Sequence, residues 1–165
     1  MKTFLTFILC FLAFTSCAPQ SSCILQPNSK QKVASSKKTK LKFSYASLDS
    51  YMVFAKEYND YYIDLYFKLP EPRSLNINED NRMRILVDYT KFISIFLNSE
   101  IEIVEYDINT NDAVYCARYR LEQEDVALLK GSKNLNIEIE GESFIFSAKL
   151  TSLKPLHKFL LENYY

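Results

Sequence analysis

Residues 61–69 read YYIDLYFKL, and their alternation decides the fold. Ile63, Leu65, Phe67 and Leu69 fall on one face, and Tyr62, Asp64, Tyr66 and Lys68 on the other. Successive side chains of a strand point to opposite faces, so a period of two reads as a strand with one buried side. The stretch LPEP at 69–72 ends it, because proline has no N–H to give to a ladder. Upstream, SYMVFAKE at 50–57 is read as the pairing strand, joined through the turn-like YND at 58–60. A helix over 47–58 competes with that reading, since Leu48, Met52 and Ala55 also suit helical spacing.

The same period continues downstream. Met83, Ile85, Val87 and Tyr89 alternate in one run, and KFISIFL at 91–97 is apolar on both faces, as a covered central strand would be. In IEIVEYDI at 101–108 the phase changes between Ile103 and Val104, which a β-bulge would reconcile. After NTND at 109–112, Tyr115, Ala117, Tyr119 and Leu121 face one way and Cys116, Arg118 and Arg120 the other. The period then changes. Glu122, Glu124 and Asp125 open a short helix at its positive end, and Val126, Leu128 and Leu129 give it an apolar stripe. Leu135, Ile137 and Ile139 match Phe144, Phe146 and Ala148 in a further hairpin. A last helix carries Leu153, Leu156, Phe159 and Leu160 on one face, with Pro155 tolerated in its first turn. These elements predict an α+β domain: an antiparallel sheet of about six to eight short strands with a short helix and a C-terminal helix packed on one face.

The N-terminus has a different character. Phe4–Phe14 carries no charge and is too short for a helix that spans a bilayer. With Lys2 before it and small residues after it, the run reads as an export signal. Its end, Phe14-Thr15-Ser16-Cys17-Ala18, resembles the lipobox of bacterial lipoproteins. Phe14 stands where leucine is usual, a position at which spirochaete-type lipoproteins are looser. The resemblance covers about the first seventeen residues and implies cleavage before Cys17, acylation of Cys17, and a palmitate-bearing anchor in the membrane of the cell envelope. The organisation expected is a signal peptide at 1–16, a lipid anchor and basic flexible tether at 17–42, and a single α+β domain at 43–165. From Tyr115 onward the chain is similar to the ends of several uncharacterised bacterial exported proteins, and that likeness implies no activity.

Charge follows the same division. Lys30, Lys32, Lys37, Lys38, Lys40 and Lys42 lie in the tether, which holds no acid. From residue 43 on there are 13 Lys and Arg against 20 Asp and Glu, a net of −7. Lysines beside a lipid anchor are drawn to anionic headgroups, and a solvated linker is the alternative reading. An acidic domain argues against a nucleic-acid partner, because a phosphate-binding face is basic.

Few residues point to chemistry. Once the signal and a lipidated Cys17 are set aside, Cys23 and Cys116 remain as two thiols that an exported protein can join or leave free. No C-x-x-C pair or Cys/His cluster marks a zinc site, and the oxygen-rich NINEDN at 76–81 lacks calcium-loop spacing, so no metal and no cofactor is assigned. His157 has lysines beside it and no catalytic setting, and no catalytic residue is assigned. Tyr58, Tyr61, Tyr62 and Tyr66 form the candidate binding surface, since partly exposed tyrosines are common where proteins meet. The function expected is a small lipid-anchored envelope protein that acts by binding, to another envelope or host protein, another host molecule or a hydrophobic small ligand. The alternative is an envelope hydrolase or cell-wall-modifying enzyme without a recognisable motif.

Overall fold

The computed structural model describes residues 23, 33–44, 48–70, 82–98, 101–141 and 145–164. The signal run, Cys17, Lys30, Lys32, the 76–81 loop and Phe144 lie outside these residues. The described elements are β1 (Val33–Ser35), β2 (Thr39–Phe43), β3 (Asp49–Glu57), β4 (Asp60–Pro70), β5 (Arg82–Val87), β6 (Lys91–Phe96), β7 (Glu102–Asp107), β8 (Asp112–Leu121), α1 (Gln123–Lys130), β9 (Leu135–Glu140), β10 (Ile145–Leu150) and α2 (Lys154–Asn163).

All ten strands belong to one antiparallel sheet in the order β6-β5-β9-β10-β2-β3-β4-β8-β7, with β1 beside β3. The sheet curls into a half-barrel. Leu97, just past β6, bridges to Tyr119 of β8, and the Asn98 amide donates to the Arg118 carbonyl at 2.8 Å, so one end of the path touches the strand next to the other end. This corrects the expected α+β arrangement of six to eight short strands under a helical layer. Strands dominate, β4 and β8 run to 11 and 10 residues, and the two helices are short.

The error has a definite source. Residues 39–43, TKLKF, lie within the stretch expected as a tether, yet Thr39, Leu41 and Phe43 are buried and Lys40 and Lys42 exposed. That is strand alternation hidden in a lysine-rich composition. β2 pairs with β10 through Leu41↔Leu150 and Phe43↔Ala148, and with β3 through Thr39↔Met52. It is therefore the strand that joins the β5-β6-β9-β10 half of the sheet to the β3-β4-β8-β7 half. β1 lies on the same side of β3 as β2, next to Ala55–Glu57.

The inner face holds one continuous core. Met52 and Phe54 of β3, Ile63, Leu65 and Phe67 of β4, Met83 and Ile85 of β5, and Ile137 and Ile139 of β9 are all buried there. Leu156, Phe159 and Leu160 of α2 and Val126 and Leu129 of α1 join the same cluster. The 50–57 segment is a strand rather than a helix, and β7 shifts register between Ile103 and Glu105, where the phase change in the sequence lies. β6 is not the central, doubly covered strand expected of KFISIFL. It ends the path, and while Ile93 and Ile95 enter the core, Phe92 and Phe96 stay exposed. Tyr89, expected to continue β5, sits exposed in the turn after it with a φ of 63°.

A buried ion cluster and disulfide as the candidate functional site

The outer face of β3, β4 and β8 carries the densest chemistry among the described residues. Antiparallel register sets Arg118 of β8 opposite Asp64 of β4. The guanidinium donates to both Asp64 oxygens, through Nε at 2.7 Å and through its second terminal nitrogen at 2.9 Å. Its remaining terminal nitrogen donates to Glu57 Oε1 of β3 at 2.7 Å. The Tyr62 ring lies 4.8 Å from the guanidinium carbon. Arg118 and Asp64 are completely buried and Glu57 nearly so. Burial by itself would lower the proton affinity of Arg118, but the bonds and charges of Asp64 and Glu57 outweigh it and hold the group protonated more firmly than an ordinary arginine.

Beside this cluster, Cys23 and Cys116 form a disulfide with a Cα–Cα distance of 6.4 Å. Both are buried, and Val53 and Tyr66 pack against them with Tyr51, Val104 and Val114 at the edge. Tyr51 and Tyr66 stack with ring centroids 4.6 Å apart, and the Lys38 ammonium sits 4.3 Å from the Tyr51 centroid. The two sulfurs and an Asp64 oxygen lie within 4.8 Å of one another. Sulfurs joined to each other offer no thiolate, and both Asp64 oxygens are engaged by Arg118, so this trio is arranged as a structural staple rather than as a set of open ligands.

The four tyrosines expected to make one binding surface are dispersed. Tyr58 is exposed at the β3–β4 turn with a φ of 55°. Tyr61 points to the inner side, and its hydroxyl donates to the Asn163 carbonyl at the end of α2 at 2.7 Å. Tyr62 and Tyr66 lie on the expected outer face, yet they are buried there under the ion cluster and beside the disulfide. An outward-facing position does not expose a ring when that face forms a second, smaller core.

His157 is half-buried on α2, and its Nε2 has no hydrogen-bond partner among the described residues. A groove of about 350 Å³ runs between α2 and the β1–β2 connection, with Lys37, Lys154 and Lys158 on its walls and Glu162 beside Lys158. Sequence reasoning missed the Arg118–Asp64–Glu57 cluster. The available signal was an arginine and an aspartate each set on the outward phase of a long alternating strand. Comparison of the chain with protein-family models, with curated proteins and with solved structures gives no match.

Proposed function

We propose that this chain is a lipid-anchored protein of the bacterial cell envelope that acts by binding rather than by catalysis. The observation that carries the reading is the buried Cys23–Cys116 disulfide. Such bonds form and persist in oxidising compartments outside the cytosol, where a protein with an export signal and a lipidated Cys17 would reside. The ion cluster supports the second half of the reading. Arg118, Asp64 and Glu57 satisfy one another in a fully buried setting, with no reactive group held open to a substrate. Apolar side chains stand exposed along β6 and β7, namely Phe92, Phe96, Ile103 and Tyr106, and such residues suit a partner among envelope or host proteins. No helix among the described residues is long and apolar enough to cross a membrane, and in this reading attachment rests on Cys17.

Expression in a bacterial host that acylates lipoproteins tests the proposal. Wild-type protein is expected to take up labelled palmitate and to partition into detergent, and Cys17→Ala to do neither. Wild-type protein that stays aqueous and unlabelled would overturn it.

A further inference from the structure

Registers across four adjacent strands place Cys116, Tyr66, Tyr51 and Lys40 in one row on the outer face. Lys42 follows Lys40 on the same face of β2, and Lys149 of β10 stands directly opposite Lys42. Lys38 covers the Tyr51 ring at the near end of this group. All four lysines are exposed. Two like charges placed opposite each other repel, and nothing in a folding argument rewards the Lys42–Lys149 pair. Of the acids on the flanking strands, Glu138 and Glu140 of β9 lie against Arg84 of β5, and Asp49 of β3, on the outer face beside β2, stands opposite Lys68 of β4.

The disulfide fixes where the chain's start can be. Cys23 is held on this same face, and Cys17 lies six positions before it. A fully extended chain of six residues reaches about 20 Å. With strands about 4.8 Å apart, Lys40 stands about 15 Å along the row from Cys116. On the lipid-anchor reading, an acylated Cys17 would thus lie within about 20 Å of the face that carries the lysines. On that reading the covalent span from anchor to domain ends at Cys23 rather than at residue 42.

We infer that the outer-face lysines Lys38, Lys40, Lys42 and Lys149 form a docking surface for the anionic headgroups of the lipid bilayer, so that the domain lies against the membrane instead of swinging from it. The inference rests on the lipid-anchor reading of Cys17. Charge complementarity selects the bilayer as occupant, because anionic headgroups supply a planar field of negative charge to an exposed group of ammonium ions that form no salt bridge among the described residues.

The test uses the whole lipidated protein incorporated into vesicles of phosphatidylcholine alone or with added phosphatidylglycerol. Lysine acetylation rates are read by peptide mass spectrometry, with Lys91 and Lys130 as internal references on other surfaces. Lys40, Lys42 and Lys149 are expected to react several-fold more slowly in the anionic vesicles, and raised salt is expected to abolish the protection. The triple substitution Lys40→Gln, Lys42→Gln and Lys149→Gln is expected to remove protection of Lys38 as well. Equal rates in both vesicles would overturn the inference, as would protection by inorganic phosphate without vesicles, which would mark a small-anion site. Failure of the anchor reading shows separately, as loss of association with the phosphatidylcholine vesicles.

Discussion

Arg118 and Asp64 face each other directly across the β8–β4 ladder, and the guanidinium grips both carboxylate oxygens in a site that water does not reach. A buried pair of this kind adds little net stability over an apolar pair of the same shape, because desolvation offsets the Coulomb attraction. Breaking it is another matter.

Arg118→Met is expected to destabilise the domain by about 3–5 kcal/mol, since Asp64 and Glu57 would be left buried without a cation. Adding Asp64→Leu and Glu57→Met in the same chain is expected to recover much of that loss. Urea unfolding of the single and triple variants measures both. Equal stability of wild type and Arg118→Met would show that the cluster is not closed to solvent.

The disulfide closes a loop of 93 residues. Chain entropy assigns a cross-link of that span about 4–5 kcal/mol. Cys116→Ser is expected to lower the urea midpoint by a corresponding amount, and reductant is expected to bring the wild type to the level of the variant. A wild-type midpoint indifferent to reductant would contradict this.

How much of this was legible in the sequence depends on which face is asked about. Inner faces were readable residue by residue, because Ile63, Leu65, Phe67, Ala117, Tyr119, Ile137 and Ile139 alternate with polar neighbours and all entered the core. The bulge in β7 was readable because an extra residue flips the phase of an otherwise regular pattern. β2 was not, since lysines at Lys40 and Lys42 gave its surroundings the composition of a linker while Leu41 and Phe43 carried the strand. Missing that one strand hid the link between the two halves of the sheet, and with it the curled architecture. The outer-face core was not legible either. Tyr62, Asp64 and Tyr66 occupy solvent-phase positions, and only the long-range partners Arg118 and Cys23 reveal that this face is closed.

Tyr119 offers a pH test. Its ring is completely buried, its hydroxyl has no hydrogen-bond partner among the described residues, and burial pushes its ionisation well above the ordinary tyrosine range. A pKa raised in the folded state leaves stability intact below the unfolded value of about 10 and erodes it as pH climbs beyond that, because only the unfolded chain can then release the proton. Tyr119→Phe is therefore expected to weaken the alkaline loss of stability, and to gain about 1 kcal/mol at neutral pH by removing an unsatisfied buried hydroxyl. Melting curves of both proteins from pH 7 to about pH 11 check the sign. A steeper alkaline loss in the variant would count against the burial of Tyr119.

The two faces of β6 should respond differently to truncation. Ile95→Ala removes a core side chain and is expected to cost about 2–5 kcal/mol, whereas Phe92→Ser on the exposed face is expected to stay within about 0.5 kcal/mol of wild type. Chemical denaturation of the two variants decides it, and comparable losses would mean that both faces are covered.

The central claim is that Cys23 is bonded to Cys116 and so fastens the segment around Cys23 to the outer face of the sheet. It is tested most directly by unfolding protein purified from a bacterial host under non-reducing conditions, alkylating it without reductant, and mapping the modified cysteines by mass spectrometry. The account expects no alkylation at Cys23 or Cys116 until reductant is added, and a linked peptide pair before that. Alkylation of both without reductant would contradict it.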